Sequence, residues 1–287
     1  MTARFLDGRE FLRRNGRLVE RRLFATCFEG APGQGVVDAV RGYANDDGGF
    51  GHGLEPDKRC PASLPIDVEC ALAAMATART VDLPLVHAAC DYLATVATDG
   101  GAVPLAFPVI EDYPRAEHWS EWTYEPALNP TAGIVGRLHE LRVEHPWIDA
   151  AAAWCWKQID TAELPTDAHA LSEVLGFLAQ APDQDRARAA AAKVRDALAG
   201  ASWFKLDPDD SAYGLSPLTV ASSADSPWRA LFTEDVIQAH LDRLERDQQE
   251  DGGWPVTWQP PGEAALLEWR GIVTLESLRT LVSYGRL

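Results

Sequence analysis

No stretch of this chain approaches the roughly 18 consecutive apolar residues that a membrane-crossing helix needs. The opening MTARFLDGREFLRRNGRLVERRLF also has no apolar core of signal-peptide length. The expectation is therefore a cytoplasmic protein with no transmembrane segment. Paired cysteines are missing too. The five thiols at 27, 60, 70, 90 and 155 are odd in number and scattered, with no CxxC, which fits reduced thiols rather than a disulfide framework. Cys70 and Cys90 sit in Ala-rich segments and read as small core residues. Positive charge is in deficit: 26 Lys and Arg face 43 Asp and Glu, a formal charge of -17. Such a surface repels phosphate backbones and anionic lipid, so nucleic acid is not an expected partner. The basic cluster Arg4, Arg9, Arg13, Arg14, Arg17, Arg21 and Arg22 reads as an amphipathic helix paired to acidic neighbours, ahead of a free basic arm. The chain carries no HExxH and no glycine-rich phosphate loop after a strand. Runs of alternating β-branched residues are scarce, which argues against a sheet-built fold.

What is present is helical period. In DVIQAHLDRLERDQQ, Ile237, Leu241, Leu244 and Gln248 fall on one face with charges opposite, as on an outer helix. VECALAAMATA and VTLESLRTLVSYG carry apolar residues on most faces, as on helices buried from several sides. The two types alternate. Outer segments near 36–44, 84–97, 147–160, 184–199 and 234–248 precede inner segments from Pro65, Asn129, Pro165 and Asp207, and then EWRGIVTLESL. Asp47 and Asp99 are 52 positions apart, and Gly200 and Asp251 are 51 apart. A repeat near 50 residues made of helix pairs means stacked units sharing one core.

Two copies of Asp-Gly-Gly-aromatic, Asp47 to Phe50 and Asp251 to Trp254, follow outer segments. Glycine takes a positive φ without steric cost, so each motif closes a helix and turns the chain. Phe50 and Trp254 then read as wedges between helix pairs. Gln248 with Asp251-Gly252-Gly253-Trp254 resembles the Q…G-x-W repeat of the terpenoid cyclase and protein prenyltransferase superfamily, and Asp47 to Phe50 resembles a second copy. The resemblance implies an all-α fold: a single (α/α)6 toroid over 1–287, inner helices around a central cavity and outer helices around them.

In such a toroid the inner helices would converge their N-termini on one end of the cavity. Asp67-Val-Glu69, Asn129-Pro-Thr131, Asp167-Ala-His169 and Asp209-Asp210-Ser211 start these segments, each also readable as a helix cap. Asp207-Pro208-Asp209-Asp210-Ser211-Ala212 resembles the Asp-x-Asp-Asp-Thr-Ala signature of class II terpene cyclases, which protonate a carbon–carbon double bond. Carried over, Asp209 would donate the proton with Asp207 and Asp210 as partners. Crowded carboxylates cannot all ionise, so one stays an acid. The other reading of LDPDDSAYG is a Pro-containing turn and cap.

A second acidic group is Glu55 and Asp57 in GLEPD, with Asp67 and Glu69 beyond it. Prenyltransferases of the superfamily hold zinc with Asp, Cys and His. Asp67, Cys70 and His52 or His169 supply those types at a different spacing, and the expectation is no metal and no cofactor. The long irregular stretch 100–129, with Trp119, Trp122 and Tyr124, reads as a lid, a binding loop or an anchored surface excursion. Trp254, Trp258, Trp269 and Arg270 would form the opposite wall, and His169 and Tyr213 complete the expected substrate-binding set. With 10 Trp, 6 Tyr and 9 Phe, an aromatic-lined pocket that stabilises cations is within the composition.

The leading expectation is an enzyme acting on a hydrophobic small molecule, an isoprenoid by resemblance, through acid-initiated cyclisation or isomerisation. A toroid also suits carbohydrate lyases and hydrolases, where Trp stacks on sugars and paired carboxylates act. The non-catalytic alternative is a toroid that binds a small molecule or a protein.

Overall fold

The computed structural model describes residues 2–120, 123–161 and 163–287. Among them the regular structure is helical, and the only β pairing is a few isolated bridges. The helices are α1 (Ala3–Asn15), α2 (Leu18–Phe28), α3 (Gln34–Arg41), α4 (Pro65–Thr77), α5 (Leu83–Val96) and α6 (Leu128–Glu140). They continue as α7 (Pro146–Thr161), α8 (Ala168–Ala179), α9 (Gln184–Leu198), α10 (Pro217–Val220), α11 (Glu234–Arg246) and α12 (Glu263–Ser283). Local signals place the starts. Pro65 opens α4, where its missing N–H costs nothing. Asp82, Asp167 and Asp183 cap α5, α8 and α9 by accepting from Leu85, Ala170 and Arg186 amides at 3.0, 2.9 and 3.0 Å.

The even-numbered helices touch in sequence: α2 meets α4, α4 meets α6, α6 meets α8, α8 meets α10, and α12 returns to α2. The Tyr284 hydroxyl donates to the Ala221 carbonyl at 2.8 Å, tying the end of α12 to the end of α10. The odd-numbered helices pack against members of this series, α3 on α2 and α4, α11 on α10 and α12, and α1 on α12 and α2. One apolar core runs from Phe5 to Leu281. A smaller one, with Leu64, Ile110, Ala116 and Trp119, lies under the long α5–α6 connection.

Both Asp-Gly-Gly turns close as their sequence demands. Gly252 has φ 91°, and a Cβ there would sit 2.3 Å from the Asp7 carbonyl oxygen, so only glycine fits. Gln248 donates to the Arg4 and Gly252 carbonyls at 2.9 and 2.8 Å, fixing the turn against α1. Trp254 is 1% exposed, donates its indole N–H to the Leu244 carbonyl at 2.7 Å, and donates its amide N–H to the Thr274 hydroxyl on α12 at 3.0 Å. It thus joins α11 to α12. Trp254→Phe leaves that carbonyl without its donor and opens a small void. The expected loss is about 1–2 kcal/mol in urea denaturation, and an unchanged midpoint would remove Trp254 from the wedge role.

One inner segment departs from expectation. No long helix starts at Asp207, and α10 spans only Pro217–Val220. The Asp207 carboxylate accepts from the Asp209 amide and the Asp210 carboxylate from the Ala212 amide, both at 2.9 Å. Such local side-chain bonds offer the backbone an alternative to the helix.

Candidate functional site

The site is built on the loop between α3 and α4. His52 and Gly53, at φ 58° and 69°, turn the chain inward. Glu55, Asp57 and Lys58 are consequently buried, at 6%, 4% and 1% exposure. The loop is held from two sides. Arg17 donates to the Leu54 carbonyl at 2.7 Å, and the Ala116 amide donates to the Asp57 carbonyl at 2.8 Å. Lys58 lies between carboxylates, 2.7 Å from Glu55 and 3.4 Å from Asp67 at the start of α4, with its ammonium 5.5 Å from the Trp119 ring. Asp67 also accepts from the Glu55 amide at 2.8 Å. Burial pulls the ammonium down, but Asp67 and Glu55 outweigh it and hold Lys58 above its ordinary value, so it stays charged.

Asp57 stands beyond this pair in an aromatic setting. Its Oδ1 accepts from the indole N–H groups of Trp258 and Trp269 at 3.1 and 2.8 Å. Its Oδ2 lies 3.5 Å from Nε2 of His118, whose side chain is half exposed. Burial and the nearby Glu55 charge push the Asp57 carboxyl up to about 7, against the two indole bonds and Lys58, which favour the carboxylate. Burial likewise raises Asp67 to about 6, opposed by Lys58. His118 is lowered by burial, so at neutral pH it offers an uncharged ring.

The wall continues as a chain of rings. Trp269 meets Trp258 edge-on at 4.9 Å, Trp258 meets Tyr213 at 5.5 Å, and Tyr213 stacks on His169 at 5.7 Å with a hydroxyl-to-Nε2 bond of 2.6 Å. Burial and the Asp57 charge raise the Tyr213 phenol to about 12. Deeper in, Glu173 lies one turn below His169 on α8 and pairs with Glu69 of α4. A Cβ on Gly133 of α6 would fall 1.9 Å from Glu173 Oε2 and 2.0 Å from Glu69 Oε1, so this glycine makes the room for both carboxyls. Burial raises both, and Glu69 most, because Glu173 both repels its charge and hydrogen-bonds to it.

The expected residues divide. Glu55, Asp57, Asp67, Trp119, Trp269, Tyr213 and His169 are joined by these contacts into one cluster, and Glu69 pairs with Glu173 one turn along α8 from His169. Arg270 does not line a pocket wall. It clamps Asp251 through both guanidinium branches at 2.7 and 2.8 Å and donates to the Trp254 carbonyl, so it serves the turn. Tyr124 donates to Glu111 at 2.7 Å and packs on the small core, anchoring its loop. Trp122 lies outside the described residues. His52 faces solvent and bonds to Asn45 at 2.9 Å. Among the described residues no cluster of His, Cys, Asp and Glu is placed to hold a metal ion.

The Asp207–Asp210 string does not form the expected trio at the head of an inner helix. All three acids are exposed, and Asp209, with its side chain 76% exposed, pairs with Arg246 and Arg243 on the outer helix α11 at 3.3 and 3.6 Å. Exposed pairs of this kind contribute about 0–1 kcal/mol. Asp209→Asn is therefore expected to leave both the unfolding midpoint and turnover near wild type, and a loss of turnover would return the acid to this turn.

Sequence reasoning missed Lys58, His118 and Glu173. Signals existed: a lysine three residues after Glu55, a histidine inside the aromatic loop, and a glutamate one turn from His169 on the same helix face. A surface cleft of about 320 Å³ beside His139, His145 and Asp149 involves none of the expected site residues.

The chain matches no family model and no curated protein. A crystal structure of a protein from Actinoplanes is similar, with a TM-score of 0.59 at 20% identity over 98% of this chain and 99% of that chain. At that identity the likeness is one of fold alone. No helix among the described residues is long and apolar enough to cross a membrane.

Proposed function

We propose that this protein is a general acid–base enzyme whose working carboxyl is Asp57, acting on a neutral substrate held against Trp258, Trp269 and Tyr213. The observation that carries the reading is the Asp57 carboxyl itself, buried, bound by two indole N–H groups and raised by that burial to about 7. Proton transfer is most efficient when the group's pKa lies near the working pH. An acid of that strength is matched to an oxygen atom, such as a glycosidic or hydroxyl oxygen, and indole and phenol rings are matched to sugar faces. The carbohydrate class therefore stands first. Acid-initiated chemistry on an isoprenoid is the second reading, favoured by the three rings beside Asp57, which would stabilise a developing cation. The formal charge of -17 and the carboxylates around Lys58 disfavour diphosphate or other anionic substrates in either case.

The test is turnover by wild type and Asp57→Asn on neutral oligosaccharides and on linear C10 to C30 isoprenoids, read by mass spectrometry. Products from wild type alone support Asp57, and the substrate that yields them decides the class. Equal turnover by the variant moves the acid elsewhere.

A further inference from the structure

We infer that Trp203 is a stacking platform for a sugar ring of a neutral oligosaccharide, forming the outer subsite at the far end of the ring series that leads to Asp57. Trp203 is 53% exposed, the highest value among the exposed large hydrophobics of the described residues. It also holds φ 59°, a left-handed backbone that a bulky residue adopts only at a cost in free energy. That backbone is pinned on both sides. Ser202 exchanges bonds with Thr166 and Ala168 at 2.9 and 3.0 Å, while the Leu215 amide donates to the Trp203 carbonyl at 2.7 Å. The protein thus keeps a strained main chain rigid in order to hold out an indole that fills no part of the core. A ligand accounts for both costs, because a pre-ordered ring loses little freedom on binding.

Trp203 is also the first ring of the series that leads inward. Its ring lies 5.9 Å from His169, edge to face, and His169, Tyr213, Trp258 and Trp269 continue to the Asp57 carboxyl. An open indole face beside the exposed Thr166 and Ser202 suits an amphipathic ring, with C–H groups against the aromatic face and hydroxyls toward water. A hydrocarbon tail would gain most from an enclosed groove instead. This inference rests on the carbohydrate reading above, but its test reads binding rather than turnover.

The experiment is calorimetric titration of neutral malto-, cello-, xylo- and chito-oligosaccharides, from disaccharide to hexasaccharide, into wild type, Trp203→Gly and Trp203→Phe. In one series affinity rises with chain length. Trp203→Gly weakens the longest members at least tenfold and spares the disaccharide, and Trp203→Phe restores most of the loss. The melting temperature of Trp203→Gly stays at or above wild type, since glycine relieves the backbone. Length-independent binding, no binding in any series, or a Trp203→Gly variant that binds normally but melts earlier overturns the platform. Trp203-dependent binding of geranylgeraniol overturns the sugar class. Asp57→Asn keeps the length dependence, so a failed acid leaves the platform standing, and the reverse also holds.

Discussion

Asp57→Asn removes turnover by several orders of magnitude and makes the protein more stable at pH 8. An amide cannot deliver a proton at this position, while its oxygen still accepts from Trp258 and Trp269. The stability gain follows from linkage. With its carboxyl raised to about 7, folded Asp57 holds a proton that the unfolded chain releases near pH 4. The folded state therefore binds more protons between those values, and its stability falls as pH rises through the window. The ceiling on that fall is about 4 kcal/mol, and it is absent in the variant. Denaturation at pH 5 and pH 8 reads about two thirds of it. Equal pH dependence in both proteins would show that the buried carboxyl costs nothing, and the acid role would lose its basis. In wild type, activity that needs the protonated carboxyl declines above about pH 7.

Lys58→Met is the second large effect, and it falls on stability. The ammonium is 1% exposed and balances Glu55 and Asp67, which are buried with it. Removing one partner of a buried ionic group leaves charge without compensation, at a cost of about 3–5 kcal/mol. Asp67 is already raised to about 6 with Lys58 present, and without it the carboxyl rises further. The deficit is thus largest at pH 8 and shrinks at pH 5 as Asp67 takes up a proton. Adding Asp67→Asn recovers part of it at pH 8. A deficit below about 1 kcal/mol, or one equal at both pH values, would mean that water already screens the cluster. Because Lys58 also favours the Asp57 carboxylate, residual activity in the variant has its decline moved to higher pH.

These effects could not have been ranked from the amino-acid order. Asp209 looked the stronger acid because three carboxylates stand in four positions, but local amide bonds and two arginines of α11 take up that turn at the surface. Arg270 looked like a pocket residue beside Trp269. On a helix adjacent residues point about 100° apart, and so Trp269 reaches Asp57 while Arg270 reaches Asp251.

The sequence by itself determined the helical class and the turns at Gly48 and Gly252. Those depend on period and on backbone freedom, which act over a few residues. Only the tertiary structure decided which acid is buried among aromatic rings. Asp57 is set apart by burial, by indoles 201 and 212 positions away in the chain, and by a histidine from another loop. Desolvation and proton sharing depend on what surrounds a carboxyl in space, and that is written in no short stretch of the chain.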